Sequence, residues 1–321
     1  MQELIALLAD GQFRGGDELG DVLGVSRAAV WKQIQKLQDV GLDVQSVRGK
    51  GYRLAYPMEW IEAPLVRSQL HGNAEALLKE LDIHKLVTST NDIAMQQAAR
   101  GVGSGYACIA EQQTAGRGRR GRNWVSPYAS NLYLSIVWEF YQGAAQLEGL
   151  SLATGVAVAR ALSRLGVPAV GLKWPNDLLV DGAKLSGILL EMTGDPAGRC
   201  QVVLGVGVNH RLPASAAEAI DQSWSRLEDF RPGIGRNLLA AAVLSELLLM
   251  LEGFATSGFS AFQEQWLALD IYADKEVVIK TGSADIVGVA RGVDVTGGLL
   301  LETASGRQII KGGEMSLRPL L

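Results

Sequence analysis

Residues 116–124 read Gly-Arg-Gly-Arg-Arg-Gly-Arg-Asn-Trp, and a stretch of that composition cannot be built into the core of any fold. Four guanidinium groups cannot be stripped of water without partners, and three glycines weaken a helix or a strand alike. The segment therefore has to be a surface loop that interrupts the structure around it. Glycine lets its backbone approach a ligand closely, and each guanidinium can chelate a carboxylate or a phosphate. Such a loop suits a site that holds two anions side by side. Gly116, Gly118 and Gly121 also satisfy G-x-G-x-x-G, but Arg-Asn-Trp-Val-Ser-Pro follows them in place of an apolar helix, which argues against a dinucleotide fold. The chain has no G-x-x-x-x-G-K-[ST] loop. A basic patch for nucleic acid is the remaining alternative.

A second constellation begins at Lys173-Trp174-Pro175-Asn176-Asp177 and runs through Asp181-Gly182 to Lys184-Leu185-Ser186-Gly187 and Glu191. Asp-Gly between two apolar runs is a strong hairpin signal. It puts Lys184 on a strand just past a turn, either as an edge residue reaching water or as a charge held in a site. With Asn176-Asp177 on the neighbouring strand, the group could hold phosphates and Mg²⁺.

The first 55 residues predict a small helical unit with helices over 2–9, 17–23 and 27–40. Gly24 makes a tight turn, and Ser26 is placed to cap the third helix. Val30, Ile34 and Leu37 recur at helical spacing and face a core, leaving Arg27, Lys32, Gln33, Gln35 and Lys36 outside. Residues 42–47 and 52–54 then read as strands around Arg48-Gly49-Lys50-Gly51. Residues 26–53 hold six bases against two acids, whereas the whole chain has a net charge of −4. Helix–turn–helix followed by a basic hairpin is a winged helix, in which the third helix enters a major groove and the wing touches the backbone. The candidate DNA contacts are Ser26, Arg27, Lys32, Lys36, Arg48 and Lys50. A packing domain with merely solvated charges is the alternative.

Residues 56–64 look like a linker. From there to about residue 270, strands (131–140, 201–208) alternate with long helices (147–165, 236–254), as in an α/β or α+β domain. The last fifty residues are short strands over 276–280, 286–292, 299–303 and 309–311 with glycine turns, as in a small β-barrel. The apolar run 238–251 is too short to span a bilayer, so no membrane partner is expected. Cys108 and Cys200 lie far apart in apolar strands and read as buried thiols of a reducing compartment. No basic segment followed by an apolar run opens the chain, which points to the cytoplasm.

Residues 116–124, Lys173–Leu178 (KWPNDL), Lys184–Gly187 (KLSG), Ser89-Thr90-Asn91 and residues 312–318 (GGEMSLR) together resemble the biotin protein ligases, and KWPND sets the chain apart from lipoate ligases. With a winged helix in front, the chain is similar to the bifunctional bacterial form, biotin ligase and biotin operon repressor. The resemblance covers nearly the whole chain. It implies an α+β multidomain protein: a winged helix-turn-helix over 1–58, a class II synthetase-like α/β catalytic domain over 66–270 and an SH3-like β-barrel over 271–321. It implies biotin and ATP as substrates, with Mg²⁺, and formation of biotinyl-5'-AMP. The biotin then passes to a lysine of the biotin carboxyl carrier protein of acetyl-CoA carboxylase. Residue by residue, Ser89, Thr90, Asn91, Gln113 (or its neighbour Gln112), Arg117, Gly118 and Gly187 would bind biotin. Arg119 and Lys184 would be the catalytic pair at its carboxylate. Arg119, Arg120, Arg122, Trp124, Lys173, Asn176, Asn209, Trp224 and Arg318 would bind ATP, and Asp177 a metal. Operator DNA and a homodimer favoured by biotinyl-AMP are the further partners implied. A pure sensor-repressor or another adenylating ligase would need these motifs to be degenerate, and they are intact.

Overall fold

Ser26 begins the third helix, its hydroxyl accepting the amide of Ala29 at 3.3 Å. A computed structural model describes residues 2–39, 41–141, 143–195, 197–213, 216, 218, 220–281, 285–312 and 315–319. Its first unit comprises α1 (Gln2–Leu8), α2 (Gly16–Leu23), α3 (Arg27–Asp39) and the antiparallel hairpin β1 (Val44–Val47) and β2 (Gly51–Leu54). Val40, expected as the last helical residue, lies outside the described residues. Gly24 ends α2 with a φ of 65°, a left-handed conformation that costs glycine nothing. Leu4, Leu8, Leu19, Val30, Ile34, Leu37 and Leu54 share one small core. A short rung between Arg14 and Tyr52 adds a third strand segment to the hairpin. The wing residues Arg48 and Lys50 remain exposed.

The stretch expected to be a linker is tied to the central domain through Glu59 and Ile61, the one residue of it that is buried. The Glu59 carboxylate accepts the Arg236 amide and the Asn237 side-chain amide, and its carbonyl accepts Arg236 Nη1 at 2.9 Å. Arg236 is also ion-paired with Glu111, with both side chains only 2% and 3% exposed. The other Glu111 oxygen takes the Ile61 amide at 2.8 Å. Composition could not reveal this, because each partner of Glu59 lies far along the chain. Removing one member would strand a buried charge, at a cost of about 3–5 kcal/mol.

The middle of the chain forms a seven-stranded mixed sheet: β3 (Glu80–His84), β4 (Tyr106–Ala110), β5 (Leu132–Phe140), β6 (Gly171–Lys173), β7 (Asp177–Val180), β8 (Ala183–Gly194) and β9 (Cys200–Val208), in the order β3-β4-β5-β9-β8-β7-β6. Only β3 and β4 run parallel. Short helices α4 (Ala63–Ser68) and α5 (Ala74–Leu77) precede it, and α6 (Thr90–Ala99), α7 (Leu150–Arg164), α8 (Leu227–Phe230), α9 (Arg236–Ser257) and α10 (Gln263–Leu269) complete the domain. Strand alternation separates the two faces. Tyr106, Cys108, Val137 and Val203 meet Ala94 and Ala98 of α6, whereas Ala107, Ile109, Ile136 and Leu204 belong to the large core built with α7 and α9. Both cysteines are buried free thiols. Helix α9 has 22 residues, longer than the apolar run suggested, and by length and composition it could cross a bilayer. Its place in the core, most of its surface covered, accounts for that hydrophobicity.

The C-terminal strands β10 (Glu276–Lys280), β11 (Asp285–Val293), β12 (Leu299–Thr303), β13 (Gly306–Ile310) and β14 (Ser316–Pro319) form an all-antiparallel sheet, β13-β12-β11-β10-β14. Strand β14 was missed in the sequence, because it is only four residues long and ends in proline. It pairs with β10, Arg318 opposite Val278. At the junction of the two domains the Ile271 amide bonds Leu172, and Asp270 accepts the Tyr272 amide. Burial pushes the Asp270 carboxyl up to about 6, from an ordinary value of 3.8. The folded chain thus holds this proton more tightly than the unfolded chain, so stability is lost as pH rises from about 4 through about 6. Asp270→Asn is expected to melt several degrees above the parent at pH 8 and to converge with it below pH 4, in thermal scans across that range. Parallel curves at every pH would show that Asp270 does not titrate in this way.

Candidate active site

Helix α6 starts at the edge of a cavity of about 280 Å³, and its first turn supplies one wall. Ser89 is its N-cap, accepting the Asn91 amide at 3.3 Å, and this orients Thr90 and Asn91 inward. Gln113 accepts the Thr90 amide at 2.8 Å and the Thr90 hydroxyl at 3.2 Å, and donates to Ser126 Oγ at 3.0 Å. Ser135, fully buried on β5, lies 2.7 Å from Thr90 Oγ1 and 2.6 Å from Asn91 Oδ1. Asn91 in turn donates to Glu191 at 2.7 Å. This end of the cavity is thus a wall of neutral hydrogen-bonding groups with fixed positions, suited to an uncharged polar ring system.

The other end is cationic. Arg119, Arg120, Arg122, Lys173, Lys184 and Arg318 line the cavity there, and the acids of the lining are Asp177 and Asp221, among the described residues. Lys184 on β8 and Lys173 on β6 converge from either side on Asp177 of the intervening strand β7, at 2.6 and 3.2 Å. Burial acts to raise the Asp177 pKa, but the two ammonium groups outweigh it and hold the carboxyl below its usual range. Burial, helped by the Arg318 and Lys184 charges, holds the Lys173 ammonium below the usual lysine value despite Asp177. The arginine loop folds back on itself, the Gly118 amide bonding Arg122 at 2.7 Å and the Trp124 amide bonding Gly116 at 2.8 Å. Arg117 anchors it through Asp92 at 2.6 Å and Glu191 at 3.2 Å. Arg119 donates to Asn176 Oδ1 at 3.0 Å and to the Met315 carbonyl at 3.1 Å, so one side chain joins the loop, the central sheet and the C-terminal domain. The indole of Trp124 lies against β9, where a Cβ on Gly207 would stand 2.4 Å from it. The Lys184 ammonium sits 5.5 Å from the centre of that ring.

Three family models match this chain: an HTH domain at residues 1–53, the Biotin/lipoate A/B protein ligase family at 83–209 and a Biotin protein ligase C terminal domain at 273–318. The chain is 43% identical to the bifunctional ligase/repressor BirA of Salmonella typhimurium, over 98% of its own length and 96% of the relative's. It belongs to the bifunctional ligase/repressor family. The Escherichia coli member is 42% identical over the same shares, and the Bacillus subtilis member 30% over 98% of each. Among solved structures, the biotin protein ligase from Aquifex aeolicus in complex with biotin and ATP covers 76% of this chain and all of its own, with a TM-score of 0.64 and 29% identity.

In this family member the cavity brings together Ser89, Thr90, Asn91, Gln113, Arg117, Gly118, Arg119, Arg120, Arg122, Trp124, Lys173, Asn176, Asp177, Lys184, Gly187 and Arg318. Of the two adjacent glutamines it is Gln113 that lines the wall, since strand-like alternation turns its neighbour away. Asn209 and Trp224 line a small adjoining recess with Trp124 and Lys184. The Asn209 amide bonds the Lys184 carbonyl at 3.3 Å and the Ser225 carbonyl at 3.1 Å, bracing the strand that carries Lys184. Asp177, expected to ligate a metal, has an ammonium nitrogen against each of its oxygens in this structure. Gly313 and Glu314 of the terminal motif lie outside the described residues. Reading the sequence missed Ser126, Ser135 and Asp92, and gave no role to Glu191. Ser135 had a signal, being a small polar residue inside the apolar strand LYLSIVWEF. Gly207→Ala is expected to displace the Trp124 indole and weaken binding of biotin and ATP by roughly tenfold or more with little loss of secondary structure, measured by titration calorimetry and circular dichroism. Unchanged affinity would show that the indole does not shape the pocket.

Proposed function

We propose that the chain is an ATP-dependent biotin protein ligase that also represses transcription from operator DNA. The observation that carries this reading is one cavity with a neutral polar wall at one end and a cluster of cations at the other, in a chain that aligns end to end with bifunctional ligase/repressors. A carboxylate is a poor electrophile and must be activated before it can acylate an amine. An oxygen of the biotin carboxylate attacks the α-phosphorus of ATP, the bond to the β-phosphate oxygen breaks, and biotinyl-AMP and pyrophosphate result. The unprotonated carrier lysine amine then attacks the acyl carbon, AMP leaves, and an amide is formed.

The protein's task in the first step is to hold two anions in contact while charge builds on the phosphate. Ser89, Thr90, Asn91, Gln113, the Arg117 backbone, Gly118 and Gly187 would hold the biotin rings. Arg119 and Lys184 would bridge carboxylate and α-phosphate. Arg120, Arg122, Trp124, Lys173, Asn176, Asn209, Trp224 and Arg318 would surround the nucleotide. Mg²⁺ would enter with the ATP phosphates, and Asp177, paired here with two lysines, would be its protein ligand. The arginine loop would screen the mixed anhydride from water. The carrier is the biotin carboxyl carrier protein of acetyl-CoA carboxylase. The winged helix would bind an operator through Ser26, Arg27, Lys32, Lys36, Arg48 and Lys50, as a homodimer favoured by biotinyl-AMP.

Purified protein, biotin, Mg-ATP and an apo carrier domain, probed with streptavidin, test the ligase. Labelling must depend on both ATP and biotin, and its absence with an intact carrier lysine would leave a sensor-repressor. Lys184→Ala is expected to slow biotin-dependent pyrophosphate exchange by roughly a hundredfold, equivalent to about 3 kcal/mol. Near-normal exchange would remove Lys184 from its role. Arg119→Gly unties the loop from Asn176 and Met315 and is expected to release biotinyl-AMP, so that bystander proteins become labelled. A variant that makes adenylate but labels only its carrier would refute this.

A further inference from the structure

Helix α3 buries Val30, Ile34 and Leu37 and leaves Ala28, Trp31, Lys32 and Gln35 on the opposite side. Of the chain's seven tryptophans, Trp31 alone is exposed among the described residues, at 53%. Others are closed away, Trp174 and Trp266 to 1% and Trp138 to 8%. An indole is the largest apolar side chain, and leaving one in water forgoes the burial that stabilises the rest of the fold. Its surroundings say what could cover it. Arg27, Lys32 and Lys36 share the helix, Arg48 and Lys50 extend from the wing, and no acid occurs on α3 before Asp39. Arg27 does meet one acid from α2, Asp17, at 3.2 Å on the surface. A ring framed by cations on an otherwise acidic protein is complementary to duplex nucleic acid and not to an apolar protein face.

We infer that Trp31 reads sequence, its indole packing against the C5-methyl group of a thymine in the major groove. This rests on the DNA-binding reading above and narrows it to one residue and one base feature. In a helix–turn–helix the N-terminal part of the recognition helix reaches the base edges, and Trp31 is its fifth residue. On the major-groove edge of the bases, the thymine methyl is the one apolar group offered. The indole has no acceptor and cannot make a paired contact with adenine. Phosphates alone would give no reason for an apolar ring at this place. The cations then provide affinity without sequence preference, while Trp31 with Ala28 beside it supplies an apolar contact that depends on the base pair.

The test uses the full chain with biotin and Mg-ATP to select duplexes from a random library. The selected duplex is then resynthesised with deoxyuridine replacing thymidine one position at a time, which removes only a methyl group. At one thymine of each half-site, this is expected to weaken the parent by roughly fivefold to tenfold. Trp31→Ala should bind the unmodified duplex more weakly by a similar factor and no longer respond to deoxyuridine there, while labelling the carrier protein at the parental rate. Unchanged affinity and an unchanged deoxyuridine response in Trp31→Ala would overturn the assignment. So would an equal loss on selected and scrambled duplexes, which would make the indole a backbone contact, or a loss of dimerisation in sedimentation, which would make it a protein contact. If the parent enriches no sequence, the DNA-binding reading itself fails, and Trp31's role with it.

Discussion

A buried carboxylate between two lysines is the contact on which the centre of this molecule depends. Asp177 on β7 holds together Lys173 and Lys184 from the strands on either side of it, and without it two ammonium groups would face each other in a site that Arg119 and Arg318 also enter. One negative charge cannot balance that set. The remaining positive potential is what an acid and a nucleotide would neutralise, so the site is left electrostatically incomplete in a way that two anions complete.

Three further ties make the separate folding units act on that centre. Arg119 joins the arginine loop to Asn176 and to the C-terminal Met315. The buried Trp174 N–H donates to the Gly297 carbonyl at 3.1 Å, fastening the C-terminal sheet beside Lys173. On the other side, Glu59 and Glu111 grip Arg236, so the segment leaving the winged helix is bound into the central domain two residues from Gln113. His210, close to that grip, is pushed down to about 3 by burial and stays neutral while its Nε2 meets the Ile234 carbonyl at 2.7 Å.

Much of the fold was legible because periodicity is a local property. The helices of the winged unit, the strands at 132–140 and 200–208 and the β7–β8 turn all lie within a few residues of where spacing, caps and Asp-Gly placed them. Helix α9 was recognised from its first residue and ends three residues beyond the expected 254, although Ser245 and Glu246 interrupt its apolar run. Both are buried, Ser245 receiving the His71 amide and Glu246 the Arg164 side chain. The candidate site was legible in its chemistry, because residues 116–124 and Lys173–Leu178 carry unusual groups at close spacing. It was not legible in its supports. Ser126 and Ser135 come from a separate loop and strand, and only Ser135 carries a local signal, as a polar residue in an apolar strand.

The sequence by itself determined the kinds of element, the need for an exposed arginine loop and the residue types that meet an acid and a nucleotide. Those follow from backbone preference and from the cost of burying charge, which each short segment carries within itself. Only the tertiary structure decided what each charge does. It set Asp177 between two lysines, tied the segment at Glu59 and Ile61 to the buried Arg236–Glu111 pair and brought Arg318 from the last strand to the site. The reason is physical: an ionic contact is set by which groups the packed sheet brings within a few ångströms, and that distance is a property of the whole fold.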